Sequence, residues 1–137
     1  MSIVASNYGV KNQLNSLLAA INAGTGIRLF QNVFSVGPAT LITDFVECSF
    51  TSYTRQNPSG KFGITIKIVD GVYASQSSTF SFPVGVGPAQ QVAGWLIADS
   101  SNWILSSLFP DPLSAANPNP VQFSISLILQ SLSVACS

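Results

Sequence analysis

The sequence has no histidine and little charge: five Lys and Arg against five Asp and Glu, 7% of 137 residues, where an ordinary soluble domain carries about 25%. Without an imidazole there is no Ser-His-Asp or Cys-His nucleophile activation, no histidine metal site and no histidine proton shuttle. The two cysteines, Cys48 and Cys136, are too few for a four-thiolate zinc site within one chain. A net charge of zero argues against nucleic acid as a partner, because phosphate binding needs clustered Lys and Arg. No run reaches the ~18 uninterrupted apolar residues of a membrane helix, so no membrane partner is expected either. The stretch from Met1 to Asn7 lacks the basic and apolar regions of a signal peptide. Synthesis in a cytoplasm follows, where both thiols stay reduced. Cys48, in a mostly apolar run, reads as a small buried core residue. A Cys48–Cys136 bridge would need an oxidising exterior, and spacing alone does not support one.

Polarity comes instead from 45 Ser, Thr, Asn and Gln residues, 21 of them Ser, and 47% of the chain is hydrophobic. That composition excludes intrinsic disorder. It also leaves weak colloidal protection, which favours life in a permanent assembly.

Val10, Leu14, Leu17, Leu18 and Ile21 recur at the 3.6-residue period and predict an amphipathic helix over about 7–22 that lies against a sheet. Ser6 or Asn7 caps its start, and Gly24 or Gly26 ends it with positive φ. Strands are expected at 27–32, 46–53, 62–68, 79–84, 90–98, 102–108 and 121–131, with a single helical turn at 40–45 capped by Thr40. Phe62, Ile64, Ile66 and Ile68 share one side of their strand. Val121, Phe123, Ile125, Leu127 and Leu129 share another, opposite Gln122, Ser124, Ser126 and Ile128. Asp70-Gly71 signals a type I′ hairpin, and Pro110, Pro112, Pro118 and Pro120 make 110–120 an irregular connection. The fold class implied is mainly β: an antiparallel β-sandwich or jelly-roll-like domain of residues 1–137, with one N-terminal amphipathic α-helix and the sandwich over about 26–133.

Candidate chemistry is sparse. Asp44 and Glu47 are the one carboxylate pair close enough in sequence for glycosidase-like work, but capping, or pairing with Arg28 or Arg55, accounts for them more simply. Asp70 and Asp99 read as turn residues. Gly85-Val86-Gly87-Pro88 and Gly24-Thr25-Gly26 have neither the Lys of a P-loop nor the helix of a dinucleotide site. The loop from Asp99 to Asn102 offers calcium only one carboxylate. No catalytic residue, cofactor or metal is expected. Trp95, Trp103 and Tyr53 are the candidates for stacking on sugar rings, although filling a core or an interface is the commoner use of large aromatics.

Two stretches resemble a known pattern. Ile27-Arg28-Leu29-Phe30-Gln31-Asn32 and Thr43-Asp44-Phe45-Val46-Glu47-Cys48-Ser49-Phe50-Thr51-Ser52-Tyr53 are similar to the run Leu-x-Leu-Phe-x-Asn, loop, Ala-Asp-Phe-x-Glu-Ala-x-Phe-x-Gly-Tyr of small structural proteins of tailed double-stranded DNA phages. The stretch from Val92 to Asp99 is similar to their Gly-aromatic-x-Val-Thr-Asp strand, and Trp103-Ile104-Leu105 to the Leu-Trp strand beyond it. Ser52 departs from the pattern's Gly, and Trp103 precedes rather than follows its aliphatic neighbours. The resemblance implies a virion protein, foremost a capsid cement or decoration protein. Its partners would be itself, as a trimer at a symmetry axis, and the major capsid protein. The helix and the loops 33–38 and 108–120 are the contact regions expected, with Phe34, Val36, Leu108, Phe109 and Leu113 as interface residues. On that reading, Phe34→Ser or Phe109→Ser releases the protein from particles without unfolding it. The alternative is a carbohydrate-binding adhesion module of a phage tail, baseplate or fibre, using Tyr53, Trp95 and Trp103.

Overall fold

The computed structural model describes residues 2–24, 26–99, 101–130 and 133–135. Antiparallel strands predominate and one helix lies near the N-terminus, so the chain is mainly β, as its patterning implies. Contacts gather into two compact units. The first comprises Met1–Ala20, Gly60–Thr79 and Ser124–Ser137; the second comprises Ile21–Ser59 and Phe80–Phe123. Both are assembled from discontinuous segments, which is why no linker is visible in the sequence.

The first unit lays a helix on a sheet. Helix α1, Asn7–Asn22, matches its expected bounds. Ser6 caps it by accepting the Gly9 N–H at 3.1 Å. Asn7 instead clamps the Asp70-Gly71 turn, accepting from the Gly71 N–H at 2.6 Å and donating to Asp70 at 3.1 Å. Val10 and Leu14 are fully buried and meet Tyr73, with Leu17, Leu18, Leu127 and Leu129 packed around them. Besides β1 (Ser2–Val4), which pairs with the late strand Ser133–Ala135, the unit contains β3 (Ile66–Val69) and β4 (Val72–Gln76). A further strand, Ser126–Gln130, completes the antiparallel sheet on the far side of β4. The hairpin forms where expected, but only Gly71 takes positive φ (77°). The turn is therefore not type I′, which needs positive φ at both central residues.

The second unit is a sandwich-like packing of two antiparallel sheets. One runs β2 (Gly26–Phe30), β6 (Gln90–Ala98), β7 (Trp103–Ala115); the other pairs β5 (Phe80–Phe82) with β8 (Val121–Phe123). Trp95 and Phe109 of the first sheet meet Phe123 of the second, Trp95 stacked at 6.3 Å and Phe109 edge-on at 5.4 Å between ring centroids. Gly24 ends the helix by closing its N–H onto Ile21; positive φ falls at Gly26 (114°), where β2 begins.

Several expectations are corrected. The stretch 46–53 is not a regular strand. It runs irregularly along the outer edge of β2, touching it through the Phe30–Glu47 bridge and the Cys48 N–H to Leu29 carbonyl bond. Residues 110–115 are not a loop but the end of β7. Gly94 pairs with Leu108 and Val92 with Leu113, so Pro110 and Pro112 sit in a wide bulge that needs no ladder N–H. The stretch 121–131 is not one strand. It breaks at Ser124 into β8, and the strand Ser126–Gln130 (β9) belongs to the other sheet; Ser131 lies outside the described residues. Thr40 does not cap the turn at Ile42–Asp44. The Asp44 carboxylate does so, accepting the Leu41 N–H at 2.8 Å, while Thr40 Oγ1 accepts from Gly37.

The strand expected over 62–68 is regular only at Ile66–Val69, with a register shift between Lys67 and Val69, and its apolar residues lie bare. Ile64, Ile66 and Ile68 are 83%, 56% and 58% exposed, and Ile128, across the sheet, is 61% exposed. Helix α1 covers only the opposite face. Among the described residues, no helix is long and apolar enough to cross a membrane.

Candidate functional site

The residues that carry the family resemblance converge around the outer edge of β2. Asn32 holds the incoming segment at two points, accepting the Val46 N–H at 2.9 Å and donating to the Asp44 carbonyl at 3.0 Å. Phe30, Phe34 and Phe45 meet edge to face at 4.9–6.1 Å, and Trp103 adds its edge to Phe45. Gly94 makes this packing possible. It pairs across the strands with Phe30, and a Cβ there would lie 2.7 Å from the Phe30 ring and 3.0 Å from Leu108 Cα, and against the Ser107 carbonyl.

Glu47 is the electrostatic centre. Arg55 grips both its carboxylate oxygens at 2.9 Å, and Tyr53 donates to Oε2 at 2.7 Å. The Tyr53 oxygen also accepts the N–H of fully buried Leu29 at 3.1 Å. That donor belongs to β2 but points away from β6, so Tyr53 satisfies what the ladder cannot. Burial raises the Glu47 pKa, yet the hydrogen bonds from Arg55 and Tyr53 and the charges of Arg55 and Arg28 outweigh it and hold the carboxyl below its usual range. Tyr53 is pushed above its ordinary value by burial and by its bond to Glu47. Burial, with the Glu47 charge behind it, pushes the Cys48 thiol up to about 12. A thiol so protonated is a poor nucleophile, as suits a small core residue. Cys136 lies outside the described residues, and with it any bridge to Cys48.

Ser52 departs from the pattern informatively. Tyr53 N–H bonds to the Phe50 carbonyl at 2.9 Å, closing a turn in which Ser52 stands third, at φ 71°. Positive φ at that position marks a type II turn, which favours Gly, the residue the pattern has there.

Each expected site residue can now be placed. Leu108 and Leu113 are 39% and 37% exposed. Phe34 and Val36 are not free surface; both pack against the Phe30–Phe45 cluster. Phe109 is half-buried against Phe123. Trp95 and Trp103 do not form one platform. Trp95 stacks on Phe123, whereas Trp103 belongs to the Phe45 cluster and donates its indole N–H to the Thr40 carbonyl at 2.6 Å. Trp103, Thr40, Leu41 and Ile42 line an open cleft of about 720 Å³. The Tyr53 ring stacks on Phe82 at 6.1 Å and takes the edge of Phe50. Asp44 and Glu47 serve a cap and an ion pair, the simpler roles expected of them. Asp99 accepts the N–H groups of Ser101 and Asn102 as a turn residue; Ser100, between Asp99 and Ser101, lies outside the described residues. Among the described residues no three of His, Cys, Asp and Glu come together.

The exposed row of Ile64, Ile66, Ile68 and Ile128 was not foreseen. The one signal available was Ile128 itself, an apolar residue on the otherwise polar side of 121–131. Comparison with family models, with curated proteins and with solved structures found no match to this chain.

Proposed function

We propose that the protein is a non-enzymatic structural component of a virion, a capsid cement or decoration protein that associates with itself and clamps neighbouring copies of a major capsid protein. The observation that carries this reading is the surface. Thirteen large hydrophobic residues are exposed among the described residues, more than the ten charged residues of the whole chain. Such a surface gains by burial at roughly 25 cal/mol per Å² of apolar area, and many copies on a symmetric lattice multiply the effect by avidity.

The resemblance is supported by the work its residues do. Asn32, Asp44, Phe45, Glu47 and Tyr53 all use their side chains in contacts within the chain, and Ser52 holds the conformation that the pattern's Gly would adopt most easily. On this reading those residues are determinants of a fold rather than of a chemistry.

The test is mass by light scattering, with and without expanded capsids of the same virus. Co-sedimentation that saturates at a fixed copy ratio is the expected result. A protein that ignores capsids but binds glycans through Trp103 would overturn it in favour of the adhesion module.

A further inference from the structure

We infer that the bare face of the β3-β4-β9 sheet is a self-docking surface whose occupant is the same face of a second copy, related by a two-fold axis. This deepens the self-association in the reading above and rests on that part of it alone, not on the capsid. The sheet register puts Ile66, Ala74 and Ile128 in one cross-strand row. Val69, paired with Val72, shares that face, and Ile64, just before the strand, and Ile68, at its register shift, are exposed beside it. The other face of the same sheet carries Tyr73, Leu127 and Leu129 and is covered by the helix. The apolar residues of this face are left without a covering layer.

Size and charge together select a second copy as that layer. The five residues expose on the order of 600 Å² per copy, so pairing two faces removes about 1,200 Å², the lower bound of specific interfaces. Bare apolar patches of this size on a monomer commonly mark an interaction site. The nearest charges, Lys67 and Asp70, already pair with each other at 2.6 Å, and the chain is neutral overall. A charged partner finds nothing to complement there, while a second copy meets no repulsion.

The test uses the full chain in sedimentation-equilibrium runs from about 1 to 100 µM, a span that brackets weak and moderate dissociation constants. Wild type is expected to associate across this range. Ile66→Lys and Ile128→Lys are expected to weaken association at least 100-fold, with far-ultraviolet circular dichroism unchanged. Ile66→Thr keeps a β-branched side chain and should weaken it about tenfold, which guards against a Lys variant that fails to fold. Val86→Lys, at an exposed position of the other unit, should leave association alone. A wild type that stays monomeric at 100 µM overturns the inference, as does an oligomer, trimer included, that survives both Lys variants. A monomer whose capsid binding is nevertheless lost in Ile66→Lys assigns the face to the capsid protein and overturns it too. Self-association abolished by Ile66→Lys in a protein that never binds capsids upholds this inference while the capsid reading fails.

Discussion

Replacing Tyr53 with Phe deletes one oxygen and two hydrogen bonds while keeping the ring, its stack on Phe82 and its contact with Phe50. The donated bond to Glu47 and the bond accepted from Leu29 are lost together. A bond to a charged group contributes about 1.5–3 kcal/mol, and a buried donor left without a partner costs about 1–3 kcal/mol. Arg55 still neutralises Glu47, which softens the first loss. The expected net destabilisation is about 3 kcal/mol. With an unfolding entropy near 2.1 cal/mol/K per residue, that lowers Tm by roughly 10 °C for a chain of this length. Thermal melts followed by circular dichroism at neutral pH measure it. A fall below about 3 °C would refute the reasoning, because it would mean that water or a relaxed backbone satisfies Leu29. The same network sets an acid limb. The Glu47 carboxyl titrates lower in the folded state than in the unfolded chain, so its contribution is fully present above about pH 4.5 and is lost as pH falls through the folded value. Tyr53→Phe removes one cause of that depression, so the loss should be smaller and complete at higher pH. In Glu47→Gln this component of the pH dependence should vanish.

Three further outcomes are expected. Ser52→Gly relieves a left-handed backbone worth about 1–2 kcal/mol, less the added entropy of an unfolded Gly. Tm should rise by about 2–3 °C, and a fall would show that the Ser side chain outweighs the strain. Gly94→Ala forces a methyl against the Phe30 ring and the β7 backbone and should cost about 3 kcal/mol, read as a lower urea midpoint at unchanged slope; a loss below about 1 kcal/mol would show that β7 shifts freely. Phe34→Ser, which removes a ring from the Phe30–Phe45 cluster, should destabilise by about 3 kcal/mol, whereas exposed Leu113→Ser should stay within about 0.5 kcal/mol. Equal melting points for the two variants would return Phe34 to the free surface.

Local order was legible where the signal is local. The helix needs only its own period and a Ser at its start, and both are written between Ser6 and Asn22. The strand 90–98 was read to the residue because an apolar run between a Pro-containing loop and Asp99 has one reasonable length. Asp70-Gly71 marked a hairpin because few residue pairs reverse a chain in two steps. The roles of Asp44 and Glu47 as cap and ion pair were also readable, since charges this scarce have few alternatives.

The rest depended on neighbours far along the chain. Alternation tells which residues share a side, never which side another layer covers, so Ile64, Ile66 and Ile68 could not be known to lie bare. Pro110 and Pro112 looked like breakers because their missing N–H matters only where a partner strand asks for it, and opposite this bulge none does. The pattern over 121–131 is continuous, and only the separation of two sheets divides it at Ser124. Tyr53 looked like a surface aromatic until the fold brought the orphan N–H of Leu29 to its oxygen. Composition by itself determined a neutral, histidine-free β chain with one amphipathic helix, because periodicity and side-chain chemistry are properties of the residues. Which apolar faces are covered, which polar groups meet and which glycines are indispensable was decided by the tertiary structure, because burial and hydrogen bonding are relations between segments distant in sequence.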